Sequence, residues 1–286
     1  MFCEKMPLEW MNASAIWLPS NKPRLDHLLL DPIDASPAFI HASLKYPLNQ
    51  FVFWERSSPS RIRGWALVHG TRDLCTWSIL RGDEFCFKTY LHTLNPTEKN
   101  VFEYIRDEER CFYTRILGVE PVPFACYYET TRDAFYARSK DPMEYLIPEP
   151  CKMHVFDPTR AHDWITLHGY PADDAAFSIY TRLNGLCATR GGTVIASVHD
   201  GLSLLPFQVP EATINGVKVA EAERGKRICT ALLRSFLDRL FSSGKQRVGL
   251  FVDVENRSAI HCYEQAGLAK KRVYYKAELE RAKSSS

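Results

Sequence analysis

Ile228, Leu232, Leu233, Phe236, Leu237, Leu240 and Phe241 recur at helical spacing, and Val248-Gly249-Leu250-Phe251-Val252 follows as a run that is apolar on both faces. The first pattern predicts an amphipathic helix with one stripe to bury. The second predicts a central strand covered by helices on both sides, because a strand with one wet face alternates. Together they direct the chain to a layered α/β fold, a mixed central sheet flanked by helices.

The same helix opens on Arg224-Gly225-Lys226-Arg227-Ile228-Cys229. A helix N-terminus carries a partial positive charge and unpaired N–H donors, so cations there are disfavoured unless an anion docks. A phosphate would be held by the free amides, the dipole and the basic side chains together. The plainer alternative is that Glu221 and Glu223, just upstream, neutralise the cluster and leave a solvated turn.

With 286 residues and 45% hydrophobic content, the chain is long enough for two ordinary domains. Lys and Arg total 36 against 34 Asp and Glu, a net charge of +2 without the strongly basic face that nucleic-acid binding needs. Every apolar run is far shorter than the roughly 18 residues of a membrane span, and MFCEKMPLEW resembles no signal segment. The expectation is a soluble intracellular protein, cytoplasmic unless mitochondrial, with neither nucleic-acid nor membrane partners. Nine cysteines at irregular spacings, without a Cys-x-x-Cys pair, read as reduced thiols. Cys151 and His154 offer two metal-ligand positions but no second pair completes a zinc site, so no metal is expected.

Phe51–Trp54 and Gly64–Val68 read as paired strands joined through Ser58-Pro59-Ser60, with a third strand near Cys75–Leu80. Glu98–Arg110, charged and rich in helix formers, reads as a helix. The prolines between Asp141 and Pro158 suggest a boundary between a divergent α/β domain over 1–145 and a second domain over 151–280. Beyond it, Asp157-Pro158 starts a helix that Gly169 stops. A second helix runs from Asp173 or Asp174 to Asn184-Gly185. Leu186–Thr189 and Thr193–His199 flank a Gly191-Gly192 hairpin turn, and Ile214–Val219 is a strand. After the buried strand come a short helix, Arg257–Ala266, stopped by Gly267, and a last strand near Val273–Lys276.

This order resembles the GNAT acyltransferase fold. Ile214-Asn215-Gly216-Val217-Lys218-Val219, then Arg224-Gly225-Lys226 and Thr230-Ala231-Leu232-Leu233, look like that family's fourth strand, pyrophosphate loop and third helix. Leu250 to Leu268 is similar to its signature of strand, asparagine (Asn256), alanine (Ala259), tyrosine (Tyr263) and glycine (Gly267). The resemblance covers roughly 151–276, and is closest to the glycine N-acyltransferase-like branch; a degenerate GNAT-like fold for the N-terminal half is left open.

The resemblance implies an acyl-CoA-dependent N-acyltransferase that moves an acyl group, acetyl first among the options, directly to an amine, of an amino acid or other small molecule. The alternatives are a CoA-binding protein without turnover and a noncatalytic interaction protein. Cofactor contacts are implied for Val217, Lys218, Val219, Arg224, Gly225, Lys226, Arg227, Ile228, Cys229, Thr230, Asn256, Ala259 and Tyr263. Tyr263 would protonate the departing sulfur, and its phenol suits a thiol better than a carboxylic acid does. Asn256 is a pantetheine contact, a helix cap, or both. Two departures stand out. Arg227 and Cys229 occupy positions that are normally small, so Arg227 either clamps phosphates or obstructs them. The position of the family's base glutamate falls at Thr213, which leaves Glu211, Glu221, Glu223 and His199 as candidate bases, with Glu211 and Glu221 carried forward.

Overall fold

The computed structural model describes residues 2–6, 49–55, 58–72, 75–82, 84–92, 94, 98–138, 146–169, 184–201 and 210–280. Backbone packing divides the chain into two units, Met1–Ala125 with Val273–Ser286, and Cys126–Arg272.

In the first unit, strands β1 (Phe2–Met6), β2 (Asn49–Glu55), β3 (Ser58–Arg72) and β4 (Cys75–Gly82) form successive antiparallel pairs. The two paired strands expected around Phe51–Trp54 and Gly64–Val68 are β2 and β3, and the third is β4. Ser58-Pro59-Ser60 is not a loop but the start of β3. Helix α1 (Glu84–Leu91) leads to β5 (Lys99–Ile105), which runs parallel to β4. β12 (Ala269–Leu279), the last described strand, closes the other edge of β5 in antiparallel register, Tyr275 opposite Ile105.

The helix expected over Glu98–Arg110 is therefore corrected. Val101, Phe102, Tyr104 and Ile105 are buried on both faces of β5, and this apolar, β-prone run outweighs the charges around it. The charges belong to the next elements: Asp107–Glu109 forms a 3-10 turn and α2 (Arg110–Leu117) begins only at Arg110. Glu109 accepts from the Arg106 amide at 2.9 Å and pairs with the buried Arg81 at 3.5 Å. Phe87 of α1, Phe102 of β5 and Tyr113 of α2 make the core of this unit, with Phe87 and Tyr113 edge to face at 4.6 Å.

The second unit includes β6 (Val122–Thr131) from Cys126 onward, α3 (Arg132–Arg138), β7 (Lys152–Val155) and α4 (Ala161–His168). β8 (Asn184–Arg190), β9 (Thr193–Asp200) and β10 (Glu211–Val219) follow, then α5 (Ile228–Ser242), β11 (Arg247–Asp253) and α6 (Arg257–Gln265). Its strands stand in the order β6-β11-β10-β9-β8-β7, with β10 and β11 parallel and β7 to β10 antiparallel. Both units are thus mixed α/β, as the sequence pattern implied.

Local signals act here as the sequence predicts. Asp157 Oδ1 accepts from the Thr159 amide at 2.9 Å, Pro158 opens a 3-10 turn into α4, and Gly169 ends that helix in the left-handed region at φ 72°. Gly191 and Gly192 turn the β8–β9 hairpin with φ 56° and 85°, values that suit a tight primed turn. The helix expected over 173–183 lies outside the described residues, and Asn184-Gly185, taken for its end, starts β8. No described helix is long and apolar enough to cross a membrane.

The whole stripe from Ile228 to Phe241 is buried under α5, and Phe241 packs on Phe135 of α3 at 5.3 Å. Val248, Leu250 and Val252 of β11 are buried, while on its other face a Cβ at Gly249 would sit 2.2 Å from the Tyr127 hydroxyl. Cys229 of α5 and Cys262 of α6 form a disulfide with Cα atoms 6.5 Å apart. This corrects the expectation that all the thiols are reduced: the pair meets only because α6 folds onto the first turn of α5. Cys111, Cys126, Cys151 and Cys187 form no disulfide.

Trp164 of α4 lies fully buried between Phe156, at 4.4 Å, and His199 of β9, at 5.4 Å. At the end of α4, His168 Nε2 meets Ser197 Oγ at 2.8 Å. Burial pushes the His168 pKa down to about 4, with Lys218 adding to the effect, and pushes His199 down to about 3, with His168 adding.

Both imidazoles stay neutral in the fold while the unfolded chain protonates them near pH 6.5, so the unfolded state binds more protons as pH falls below that value. Stability is expected to drop between about pH 6.5 and 4, by up to about 1.4 kcal/mol per pH unit for each histidine. Urea unfolding of wild type and His199→Asn at about pH 7 and 5 checks this, the variant showing the shallower decline. Arg227 holds φ 60° without glycine's freedom. A side chain there costs about 1–2 kcal/mol, against about 0.5–1 for the extra chain entropy of glycine. Arg227→Gly should therefore keep or raise the urea midpoint, whereas Arg227→Ala, which retains the strain, should not raise it.

Candidate functional site

β10 and β11 pair at only three positions, Glu211, Ala212 and Thr213 opposite Arg247, Val248 and Gly249, although both strands run on. Past Thr213, β10 follows β9 instead and bulges between Asn215 and Lys218, with Gly216 at φ 58°. Beside the stretch of β10 that has left β11 lies a cleft of about 1180 Å³. Val217, Lys218 and Val219 form its β10 wall, which places backbone amides where a carbonyl could lie.

One end of the cleft is the basic turn. Glu221–Glu223 makes a 3-10 turn, Gly225 turns at φ 78°, and Arg227 is the N-cap of α5. No side chain caps that helix, so the amides of its first turn face the cleft with Ile228, Cys229 and Thr230 in the wall. The neighbouring acids divide unevenly. Glu223 pairs with Arg190 at 3.0 Å and Lys226 at 3.2 Å, so Lys226 is neutralised and lies outside the wall. Arg224 and Arg227 line the cleft, and neither has a carboxylate partner among the described residues. The turn is therefore not neutralised as a whole.

The opposite wall is α6. Asn256 Oδ1 accepts from the Ala259 amide at 3.2 Å, so the asparagine caps the helix and its NH₂ group is left to donate. Asn256, Ala259 and Tyr263 all line the cleft. Tyr263 is largely buried, which pushes its phenol up to about 12 and keeps it protonated at neutral pH. The Cys229–Cys262 disulfide ties this wall to the start of α5.

The structure thus gathers every cofactor-contact residue named from sequence except Lys226. Glu211 lies half-buried at the start of β10 opposite Arg247, and Glu221 is exposed; neither belongs to the cleft wall. Thr213 is buried and its amide donates to Asp200 Oδ1 at 3.1 Å. Cys151 takes a hydrogen bond from Arg190 at 3.4 Å and His154 Nε2 meets Thr189 Oγ1 at 2.9 Å, so these two serve neighbouring strands separately. Sequence reasoning missed Leu146, Pro148, Arg234 and His261 in the wall. Arg234 was within reach, since it follows Thr230 by one helical turn. Leu146 and Pro148 carry no local signal.

Comparison with known proteins agrees with this geometry. Residues 143–268 match the model of the acetyltransferase (GNAT) family. No curated protein matches the chain. Among solved structures, a tandem GNAT protein from the clavulanic acid biosynthesis pathway, solved without acetyl-CoA, aligns over 98% of this chain and 100% of its own, with TM-score 0.66 and 13% identity. A GCN5-related N-acetyltransferase from Sphaerobacter thermophilus covers 80% of this chain and 79% of its own, with TM-score 0.59 and 17% identity. A GNAT-family acetyltransferase from Colwellia psychrerythraea covers 98% and 100%, with TM-score 0.55 and 12% identity. Parted parallel strands and an uncapped basic helix start thus lie within the stretch, residues 143–268, that is similar to the acetyltransferase (GNAT) family.

Proposed function

We propose that this protein is an acyl-CoA-dependent N-acyltransferase that moves an acyl group, acetyl in the simplest case, directly onto the amine of a small molecule. The observation that carries the reading is the pair Arg224 and Arg227, unmatched by carboxylates among the described residues, beside the uncapped amides of α5 in a cleft walled by the parted end of β10. A pyrophosphate satisfies all of these donors at once. A divergent N-terminal half ahead of the coenzyme-binding half is our reason for likening the chain to the glycine N-acyltransferase-like branch.

In this reading the cleft walls supply orientation and charge stabilisation. Amides near Val217 and Val219 polarise the thioester carbonyl, Asn256 bonds the peptide-like arm of the coenzyme, and Tyr263 gives its proton to the departing sulfur. Attack by the amine forms the C–N bond as the C–S bond breaks, so amide and thiol result without a covalent enzyme intermediate. Glu223, the carboxylate in the wall, is already held by Arg190 and Lys226.

Titration calorimetry with acetyl-CoA, followed by thiol release against a panel of amino acids, polyamines and other amines, tests the proposal. Binding with release supports it; binding without release leaves a coenzyme-binding protein; no binding removes both. Arg224→Ala is expected to weaken acetyl-CoA binding by about 1–3 kcal/mol through loss of a charge-assisted contact, measured in the same calorimeter. For Tyr263→Phe the expectation is a fall in kcat with nearly unchanged affinity, read by thiol release; a variant as fast as wild type would make Tyr263 a packing residue.

A further inference from the structure

One covalent bond joins two walls of the cleft. Cys229 stands in the first turn of α5, whose amides no side chain caps, and Cys262 stands on α6 beside Tyr263. Both cysteines line the cleft. We propose that the Cys229–Cys262 disulfide is a redox switch on the coenzyme site: closed, it holds α6 against α5 for acyl-CoA binding, and opened by a dithiol it weakens that binding. The inference rests on the acyl-CoA reading above and adds a regulation of the same site.

The bond matters because little else fixes α6. Of its nine residues only Cys262 and Tyr263 are buried. Arg234 of α5 secures the far end, donating to the Gln265 carbonyl from Nε at 3.1 Å and from Nη2 at 2.7 Å. The near end, Asn256 to Ser258, is exposed. Cys262 lies between the two ends, so the disulfide sets how the middle of α6 sits on the first turn of α5. Coenzyme binding uses both walls at once in this reading, Asn256 and Tyr263 from one, the α5 amides with Arg224 and Arg227 from the other. A tie that holds these donors at one spacing before the ligand arrives removes an ordering cost from binding. Opening it leaves α6 attached through Tyr263 and Arg234 but lets the spacing vary.

The exchange balances. Cys229 is half-buried and Cys262 buried, so attack falls on the Cys229 sulfur. One thiolate of the dithiol bonds to Cys229 Sγ as the S–S bond breaks, and Cys262 leaves as a thiolate that takes a proton from solvent. The second thiol of the reagent, as its thiolate, then displaces Cys229, which is protonated in turn, and closes a disulfide of its own. A pair of electrons has passed from the dithiol to the cystine. The same steps run backwards with an oxidised dithiol close the switch. By linkage, a coenzyme that binds the closed form more tightly holds the disulfide closed by the same factor.

The test is acetyl-CoA affinity by titration calorimetry on the full chain, oxidised with diamide and then reduced with dithiothreitol, with the state of the pair read by alkylation and peptide mass. Reduction is expected to weaken binding by about 10-fold, within the range usual for coupled sites. Reciprocally, saturating acetyl-CoA is expected to shift the dithiothreitol equilibrium about 10-fold towards the disulfide, which is about 30 mV. Cys262→Ser, held open, is expected to bind as reduced wild type does and not to respond to the dithiol. Equal affinity of oxidised and reduced wild type overturns the switch while the coenzyme reading stands. So does a wild-type response to dithiol in Cys262→Ser, or recovery of Cys229 and Cys262 as thiols after diamide. No binding of acetyl-CoA in either state overturns the coenzyme reading and the switch with it.

Discussion

The parting of β10 from β11 is the constraint on which the site depends. Two parallel strands that stop pairing leave backbone donors and acceptors that something else must satisfy. On one side β9 takes over, at the cost of a bulge and a glycine with positive φ at Gly216. On the other side no described strand replaces the lost partner along Val217 to Val219, which line the cleft instead. Gly249 marks the last paired position, with the Tyr127 ring so close that no side chain fits there. Glycine is thus required at both edges of the opening, at Gly216 for backbone conformation and for the close approach of His199, at Gly249 for space alone.

Electrostatics then selects what enters. A helix start favours anions, and this one lacks a capping side chain while keeping two arginines that no described carboxylate matches. Glu223 shows the contrast, since it is buried and neutralises Arg190 and Lys226 instead. One acid in a basic turn orders it without cancelling its charge. Arg227 adds a cation where its own backbone is strained, a local rule broken at a position that faces the ligand space.

Signals contained within a few residues were legible in the sequence. The Asp157 cap, the Gly169 stop, the Gly191-Gly192 turn and the α5 stripe each act through neighbours one turn away, so pattern and structure agree. Most of the cleft wall was legible too, because it lies on two contiguous motifs. Lys99–Ile105 was misread because the charges at 106–110 belong to the turn and helix that follow, and a window across both elements averages two periodicities. The Cys229–Cys262 pair and the seat of His168 against Ser197 were invisible, since each joins residues from separate elements.

The return of β12 to the first unit bears on how the molecule is made. β5 finds one of its two neighbours in residues 275–279, at the far end of the chain. During synthesis the first unit must wait, with β5 an open strand edge, until residues 275–279 have left the ribosome. A stop between residues 126 and 274 would leave that edge unpaired and invite aggregation, so the first unit's fold is hostage to successful synthesis of the second.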